Sequence, residues 1–299
     1  MSPLFLIFAL VPLVAAGEGD HISCVQQGED LTICSNGTEI TQVTGSKNFL
    51  VLNLENYSSI APNALKDVRT YSLTLNLGDP STCEPRDFGF TPESFSVICD
   101  GLPTLEISCW NVPKDSNALD LCSKLIKVTL TKSGLTEVPK TLVKNLSLMD
   151  TFRVKGHRIK TLGNDAFSGF PTNLRVLDIH DGSLESIEGS PFKNLGEVRL
   201  FSLKNNGIND LSPGIFDNLV KVRKMSLEGN QLEKIKKNVF TSALTDLRGL
   251  DLSNNRIKDV EDGAFDDVPI TGLQLIGNPL ENQEVTRWGL GEKVKVTFN

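Results

Sequence analysis

One apolar pattern returns four times in the C-terminal half of this chain, at intervals of 24, 24 and 25 residues. Each unit opens on an aliphatic residue, and apolar residues follow at the third, fifth, tenth and thirteenth positions after it. A phenylalanine stands eighteen positions after each opening. The openings are Leu174, Val198, Val222 and Leu247. Because one such unit has too little apolar surface to form a core, the repeat predicts a solenoid of stacked coils.

The first residues of each unit predict a short β-strand. Apolar residues at offsets zero, three and five give the strand an inward face, and adjacent coils place their strands about 4.7–4.9 Å apart. An asparagine at offset eight is suited to pair with backbone groups that the irregular part of a coil leaves open. These asparagines are Asn206, Asn230, Asn255 and, in the last partial unit, Asn278. The large phenylalanine should widen the opposite side, so we expect a parallel sheet on the concave face.

Composition and the N-terminus predict where the protein works. The 30 basic and 37 acidic residues give a net charge of −7, which argues against a general nucleic-acid or membrane-surface binder. The apolar run from Leu4 to Val14 precedes small residues and predicts a signal peptide at residues 1–16. No second hydrophobic stretch has transmembrane length. We therefore expect a secreted, extracellular protein without membrane insertion.

Six cysteines lie between residues 24 and 122, and in a secreted chain they predict disulfides. Residues one period apart occupy equivalent places on adjacent coils, at about 5 Å, a separation that a disulfide accepts. This spacing favours two pairs and leaves the third to close an N-terminal hairpin. The predicted pairs are Cys24 with Cys34, Cys83 with Cys109, and Cys99 with Cys122.

The repeat divides the chain into segments. Residues 17–48 are predicted to form an N-terminal disulfide cap, and residues 49–124 irregular, disulfide-tied repeats with an insertion at 78–100. The register of the coils between Thr70 and Leu102 stays open, because Leu73, Leu75 and Leu77 alternate. Residues 125–280 form regular repeats. Residues 281–299 form a cap without cysteine, in which Trp288 either seals the end of the core or, alternatively, anchors a ligand.

Few residues suggest catalysis. The chain has three histidines and lacks the sequence motifs of hydrolases, zinc proteases and phosphate-binding loops, so we predict no enzyme and no cofactor. His157 falls on an asparagine position and is interpreted as structural. Asp178, His180 and Asp181 lie close in sequence but lack the spacing of a known metal site. We interpret them as a solvated, charge-paired face.

The outward strand positions carry the clearest functional signal. An arginine stands at offset one of four consecutive units, and such a column suits carboxylate, phosphate or sulfate. Alternatively, these arginines pair with Asp178, Asp251 and Glu228 and only keep the face soluble. Because parallel strands normally have both faces covered, we favour binding by the face as a whole. The candidate partner-binding residues are Arg153, Arg175, Asp178, His180, Arg199, Lys204, Arg223, Lys224, Glu228, Arg248 and Asp251.

Three N-x-S/T sequons predict glycosylation at Asn36, Asn56 and Asn145. Asn56 is expected near the concave edge of an early coil. A glycan there would mask the N-terminal part of the sheet, which directs the binding hypothesis to residues 149–277.

The repeats, including Pro213 to Leu219 and Asp262 to Val268, resemble extracellular leucine-rich repeats of the 24-residue type. Slit proteins, Toll-type receptor ectodomains and small leucine-rich proteoglycans carry similar units. The resemblance implies an α/β-type solenoid, a horseshoe with a parallel β-sheet on the concave face and irregular or short-helical segments on the convex side. It also implies protein recognition in innate immunity, adhesion or development.

Two functions follow as hypotheses. The first is a secreted, non-enzymatic recognition protein that binds an extracellular protein through its concave face. The alternative is an extracellular matrix component that binds sulfated glycan through the arginine column. Salt dependence separates them, because binding of sulfated glycan by arginine weakens as salt screens the charges.

Overall fold

The computed structural model describes residues 22–281 and 283–298, so the predicted signal peptide lies outside the described residues. Three strands begin the fold, and β2 pairs antiparallel with both β1 and β3. Eleven further strands form one parallel sheet in chain order, one strand per coil. The first strands are β1 (Ile22–Gln26), β2 (Thr32–Asn36) and β3 (Glu39–Ser46). This arrangement confirms the predicted solenoid and its parallel sheet.

The strands of the main sheet are short and evenly spaced along the chain. The first six are β4 (Phe49–Asn53), β5 (Ser72–Asn76), β6 (Thr104–Ser108), β7 (Lys127–Thr131), β8 (Thr151–Lys155) and β9 (Val176–His180). The other five are β10 (Leu200–Ser202), β11 (Lys224–Ser226), β12 (Gly249–Asp251), β13 (Gly272–Gln274) and β14 (Lys295–Thr297).

The remaining elements are small. Two-residue strands pair across the coils at Thr161–Leu162 with Ser186–Ile187, and at Lys234–Ile235 with Asp259–Val260. Ser59–Ile60 and Asp67–Arg69 add to β3. Helices α1 (Pro92–Phe95) and α2 (Lys140–Val143) and the 3₁₀ helix Val285–Trp288 each span one turn. None of the helices within the described ranges is long and apolar enough to cross a membrane.

The inward residues align from coil to coil. Leu177 pairs in register with Phe201, Phe201 with Met225, and Met225 with Leu250, and all four side chains are buried. Each of these side chains contributes roughly 1.5–3 kcal/mol by leaving water. The leucine ladder is therefore one continuous core, as the repeat predicts.

The buried asparagines tie each coil to the one before it. Asn230 Oδ1 accepts the N–H of Ile208 at 3.1 Å, and Asn230 Nδ2 donates to the carbonyls of Leu203 at 3.0 Å and Leu227 at 2.9 Å. One amide thus satisfies backbone groups on two coils. The same pattern recurs at Asn206, Asn255 and Asn278.

The phenylalanines form a second ladder on the side away from the sheet. Ring centroids of consecutive members lie 6.0, 5.9, 5.7 and 5.7 Å apart with the rings stacked. All the members are buried. Their width holds the convex side open, in agreement with the predicted curvature. The ladder consists of Phe167, Phe192, Phe216, Phe240 and Phe265.

The residue seven positions after the opening of each unit does not extend the strand. In eight consecutive coils this residue adopts the left-handed conformation, with φ between 48° and 74°. The chain turns there from the sheet into the asparagine position. The eight residues are Cys109, Lys132, Gly156, Asp181, Asn205, Gly229, Asn254 and Gly277.

The first coils resolve the open register. Leu73 pairs with Leu50 and Leu105, and Leu75 pairs with Leu52, while Leu77 is buried just beyond the strand. The insertion that follows adds an aromatic cluster to the core, in which Phe88, Phe90 and Phe95 pack together and Phe90 meets Trp110 edge-on at 4.9 Å.

Three disulfides join Cys24 to Cys34, Cys83 to Cys109 and Cys99 to Cys122, the pairs that the spacing predicts. At the other end, β14 pairs with β13, and the buried Trp288 packs against Phe298 at 6.0 Å. Trp288 is therefore a core residue, and the alternative of an exposed ligand anchor is wrong.

Replacing Asn230 by alanine tests the asparagine ladder. Asn230→Ala leaves the N–H of Ile208 and two carbonyls without their partner in the buried interior, so we expect the free energy of unfolding to fall by about 1–3 kcal/mol. Denaturant titration followed by circular dichroism measures the change. Gln231→Ala removes an exposed amide next to it and should cost less than about 0.5 kcal/mol. Equal losses in the two variants would contradict the role of the ladder.

Candidate binding surface on the concave face

The outward side of the main sheet carries two rows of side chains that matter for binding. We call Arg175, Arg199, Arg223 and Arg248 the arginine row; they precede β9 to β12. The central row lies at the middle outward position of the strands, where side chains of successive coils are in register. Its members from β7 to β13 are Thr129, Arg153, Asp178, Ser202, Ser226, Asp251 and Gln274.

The arginine row is continuous because the backbone ladder extends into it. Arg199 N–H donates to the carbonyl of Arg175 at 2.8 Å, Arg223 N–H to Arg199 at 2.9 Å, and Arg248 N–H to Arg223 at 3.0 Å. All four residues are exposed. The Arg248 guanidinium bonds to the carbonyls of Thr245 and Leu247. The backbones of four arginines are therefore aligned along one edge of the concave sheet.

The ion pairs expected for these arginines do not form. Asp178 lies 3.8 Å from Arg153 and 3.8 Å from His180. Asp251 accepts the N–H of Ser253 at 2.9 Å, and Glu228 accepts a hydrogen bond from Asn254 at 3.2 Å. Within the described ranges, no member of the arginine row has an ion-pair partner within 4.0 Å. The three carboxylates therefore contact other residues, and the alternative in which they pair with the arginine row is wrong.

Polar atoms of the central row are hidden from water without a hydrogen-bond partner. They include Thr129 Oγ1, Arg153 Nε, Asp178 Oδ1 and Ser202 Oγ. The distance of 3.8 Å between Arg153 Nε and Asp178 Oδ2 exceeds that of a hydrogen bond. Buried polar groups in proteins are normally paired. This part of the face therefore retains capacity to donate and accept hydrogen bonds.

A cavity of about 840 Å³ opens on the concave face of the C-terminal coils. It brings together six of the candidate residues, while Arg175, His180, Arg199, Lys204 and Glu228 lie outside it. Its floor includes Gly249 and Gly272, and Lys295 lies at its C-terminal end. The candidates that line it are Arg153, Asp178, Arg223, Lys224, Arg248 and Asp251.

Sequence reasoning missed several lining residues of this cavity. Ser202, Ser226, Gly249, Gly272 and Gln274 occupy outward strand positions, and all of them are small or uncharged. For the serines and glycines, the signal that would have found them is the absence of bulk at positions where other coils carry long side chains. The repeat pattern is defined by apolar inward residues, so it does not indicate which outward positions lack a bulky side chain.

The residues beside the central row form a small electrostatic cluster. Although burial favours the neutral acid, a hydrogen bond from Asn205 and the charge of His180 hold the pKa of Asp181 below its usual range. Lys155 lies 4.0 Å from Asp181, and His180 Nδ1 lies 3.2 Å from it. Among the residues that the structure describes, no group of three or more histidines, cysteines or carboxylates is placed to hold a metal ion.

His157 occupies the asparagine position of its coil and is buried. Its Nδ1 accepts the N–H of Ile159 at 3.2 Å, and its Nε2 has no hydrogen-bond partner among the described residues. A Cβ on Gly182, which occupies the same position one coil later, would lie 2.2 Å from Nε2. The imidazole thus fills space that Gly182 leaves. Burial lowers the pKa of His157 to about 4.

The three sequon asparagines are exposed. Asn36 ends β2, Asn56 follows β4, and Asn145 follows α2 with its Nδ2 at 3.5 Å from the carbonyl of Asp120. None of them lines the cavity. Glycosylation of these residues stays a prediction, and it would leave the C-terminal part of the concave face open.

Comparison with known proteins shows what this chain is similar to. Residues 172–232 and 221–280 match the leucine rich repeat family. The chain is 24% identical over 98 residues to Leucine-rich repeat-containing protein 3B of Homo sapiens, Mus musculus and Bos taurus. This match covers 33% of the chain and spans 38% of the length of those relatives. Residues 172–280 thus carry leucine-rich repeats, in agreement with the stacked coils.

Solved structures share the fold at low sequence identity. Toll in its complex with Spatzle, from Drosophila, has a TM-score of 0.61 at 14% identity, over 87% of this chain and 37% of that one. A chain of the octameric complex of Latrophilin 3, Unc5D and FLRT2 has a TM-score of 0.58 at 17% identity. The match covers 88% of this chain and 89% of that one. TLR13 in its complex with ssRNA13 has a TM-score of 0.54 at 16% identity, and the match covers 78% of this chain and 42% of that one. The leucine-rich repeat resemblance is confirmed, and no single family within it is fixed.

The buried His157 predicts a pH dependence of stability. Its pKa is lower in the folded state than the ordinary 6.5, so the unfolded chain binds the proton first. Stability is complete above pH 6.5 and decreases as the pH falls towards 4, by at most about 3 kcal/mol from this group. Thermal unfolding at several pH values measures the loss, and His157→Asn should remove this part of it.

Ser133→Ala is the matched control for that experiment. Ser133 occupies the equivalent position one coil earlier, is buried and does not titrate. Its replacement should therefore leave the slope of stability against pH unchanged. A His157→Asn variant with the slope of the wild type would show that His157 is not the group responsible.

Proposed function

We propose that this chain is a non-catalytic recognition protein that binds an extracellular protein partner with its concave face. One observation carries the proposal: among the described residues the cations of the concave face from β10 onward have no ion-pair partner, whereas several cations on other surfaces are paired between coils. Lys221 bonds Glu197, Lys236 lies 2.6 Å from Asp210, and Lys234 lies 3.0 Å from both Asp259 and Glu261. At these positions a carboxylate of a neighbouring coil balances the cation. On the concave face from β10 onward no such pair is present among the described residues, which leaves those charges available to a partner.

The comparisons support recognition of a protein. The structurally similar Toll was solved with Spatzle, and the FLRT2 structure with Unc5D and Latrophilin 3. Three disulfides are typical of proteins from oxidising compartments and support secretion together with the predicted signal peptide. A role in innate immunity, adhesion or development is part of the same proposal.

The arginine row favours sulfated glycan as a second candidate ligand. Four exposed arginines on successive coils carry forked donors that suit sulfate. Such binding should be lost in about 1 M salt, where the Debye length falls to about 3 Å. A protein interface with apolar contacts should persist under the same conditions. Heparin chromatography of Arg175→Gln with Arg199→Gln distinguishes the two candidates.

Two added carboxylates on the concave face should abolish partner binding. Ser202→Glu with Ser226→Glu places negative charge and bulk on the central row, so we expect proteins captured from extracellular fluid by the wild type to be lost, by roughly tenfold or more. Mass spectrometry with isotope-labelled quantification measures the capture. Ser168→Glu with Ser242→Glu makes the same change at exposed positions away from the sheet and should have no effect. Equal capture by both variants would place the interface elsewhere.

A further inference from the structure

Two adjacent strands lack a side chain at the same outward position. Lys224 of β11 pairs in register with Gly249 of β12, Gly249 with Gly272 of β13, and Gly272 with Lys295 of β14. At about 4.8 Å per strand, the Cα atoms of the two lysines lie roughly 14 Å apart. We call the space above the two glycines, between the two lysines, the glycine gap. It forms the floor of the concave cavity.

The backbone does not require glycine at either place. Neither residue has a positive φ. A Cβ on Gly272 would have no atom within 4 Å, and one on Gly249 would meet only Lys224 Cγ at 3.8 Å. Glycine weakens a strand and often marks a site where another molecule approaches closely. The requirements of the fold therefore do not explain why glycine stands at these two positions.

The groups around the gap are mainly cationic. Arg223 and Arg248 precede β11 and β12, and Lys224 and Lys295 bound the gap. Within the described residues none of the four has an ion-pair partner. Asp251 is the one carboxylate on the three strands β11 to β13, and it already accepts the N–H of Ser253. The charge at the gap is complementary to an anion.

An apolar surface adjoins this cationic site within the same cavity. Leu200 of β10 precedes Lys224 in the same outward row and has 43% of its surface exposed, and Val176 of β9 precedes Leu200. Both residues line the cavity. A ligand that fills the cavity must therefore match an apolar surface beside a cationic one. A peptide with an acidic and a neighbouring apolar side chain meets both requirements, whereas a sulfated glycan meets only the second.

We propose that the glycine gap binds an acidic segment of a protein partner, with its carboxylates between Lys224 and Lys295 and an apolar side chain on Leu200. This inference rests on the proposed function of the concave face and names the chemistry that its C-terminal half recognises. The glycines admit the peptide backbone close to the sheet. The two arginines and two lysines then donate to its carboxylates.

Peptide selection on the whole chain tests the proposal. A phage-displayed library of random peptides is selected on the immobilised wild-type protein, and the recovered peptides are synthesised for affinity measurement by fluorescence polarisation. We expect enrichment of Asp and Glu next to an apolar residue. Gly272→Leu fills the gap and should weaken these peptides by roughly tenfold or more, whereas Gly272→Ala should change affinity by less than about threefold.

A second variant tests the charges without filling the space. Lys224→Gln with Lys295→Gln should also weaken the peptides by roughly tenfold, while Arg175→Gln with Arg199→Gln, outside the gap, should leave them unchanged. Circular dichroism and thermal unfolding establish that each variant is folded. If Gly272→Leu does not fold, the lysine variant still decides the question, because its side chains are exposed.

Several results would overturn the inference. The recovered peptides could lack acidic enrichment, or the gap variants could bind them as the wild type does. If a heparin oligosaccharide displaces the peptides from the wild type but not from the Arg175→Gln with Arg199→Gln variant, the result would point to the glycan instead. If partner capture is lost with Ser202→Glu and Ser226→Glu but kept with Gly272→Leu, the gap proposal fails and the concave interface stands. If neither set affects capture, both proposals fail.

Discussion

The stacking of one coil on the next is the constraint on which the whole structure depends. A coil of this size leaves apolar side chains and backbone groups that only its neighbours can satisfy. Sheet pairing solves this for the strand, and Asn230 and its equivalents solve it where the chain leaves the strand. The two ends lack a neighbour on one side, so the hairpin of β1 and β2 and the buried Trp288 cover them.

This division of labour separates stability from recognition. Leu177, Asn206 and Phe216 point inward and hold the stack, whereas alternate residues of the main-sheet strands point outward and contribute little to it. The concave face is therefore free to carry residues that the fold does not need. Gly249 and Gly272 show the extreme of this freedom, because each costs about 0.5–1 kcal/mol relative to alanine in a strand and the backbone does not demand either.

Periodicity predicts whatever repeats, and the structure confirms the strands, the aligned leucines and the parallel sheet. The spacing of Cys99 and Cys122 likewise indicated neighbouring coils. What does not repeat was harder to predict. His157 fits against Gly182 because the imidazole occupies the space that a side chain at residue 182 would need. The partners chosen by Asp178 and Asp251 depend on side-chain distances within 4 Å, which strand offsets do not specify.

The paired and unpaired cations of this chain argue against a purely solubilising role for the concave face. Exposed ion pairs contribute at most about 1 kcal/mol each, so stability alone gives little reason to form them. Nevertheless Lys234 meets two carboxylates and Arg287 meets Asp262 on other surfaces. These pairs neutralise charge on surfaces outside the concave sheet. Arg223 and Lys224 have no such pair among the described residues beside the cavity, which supports the proposal that they attract an anionic partner.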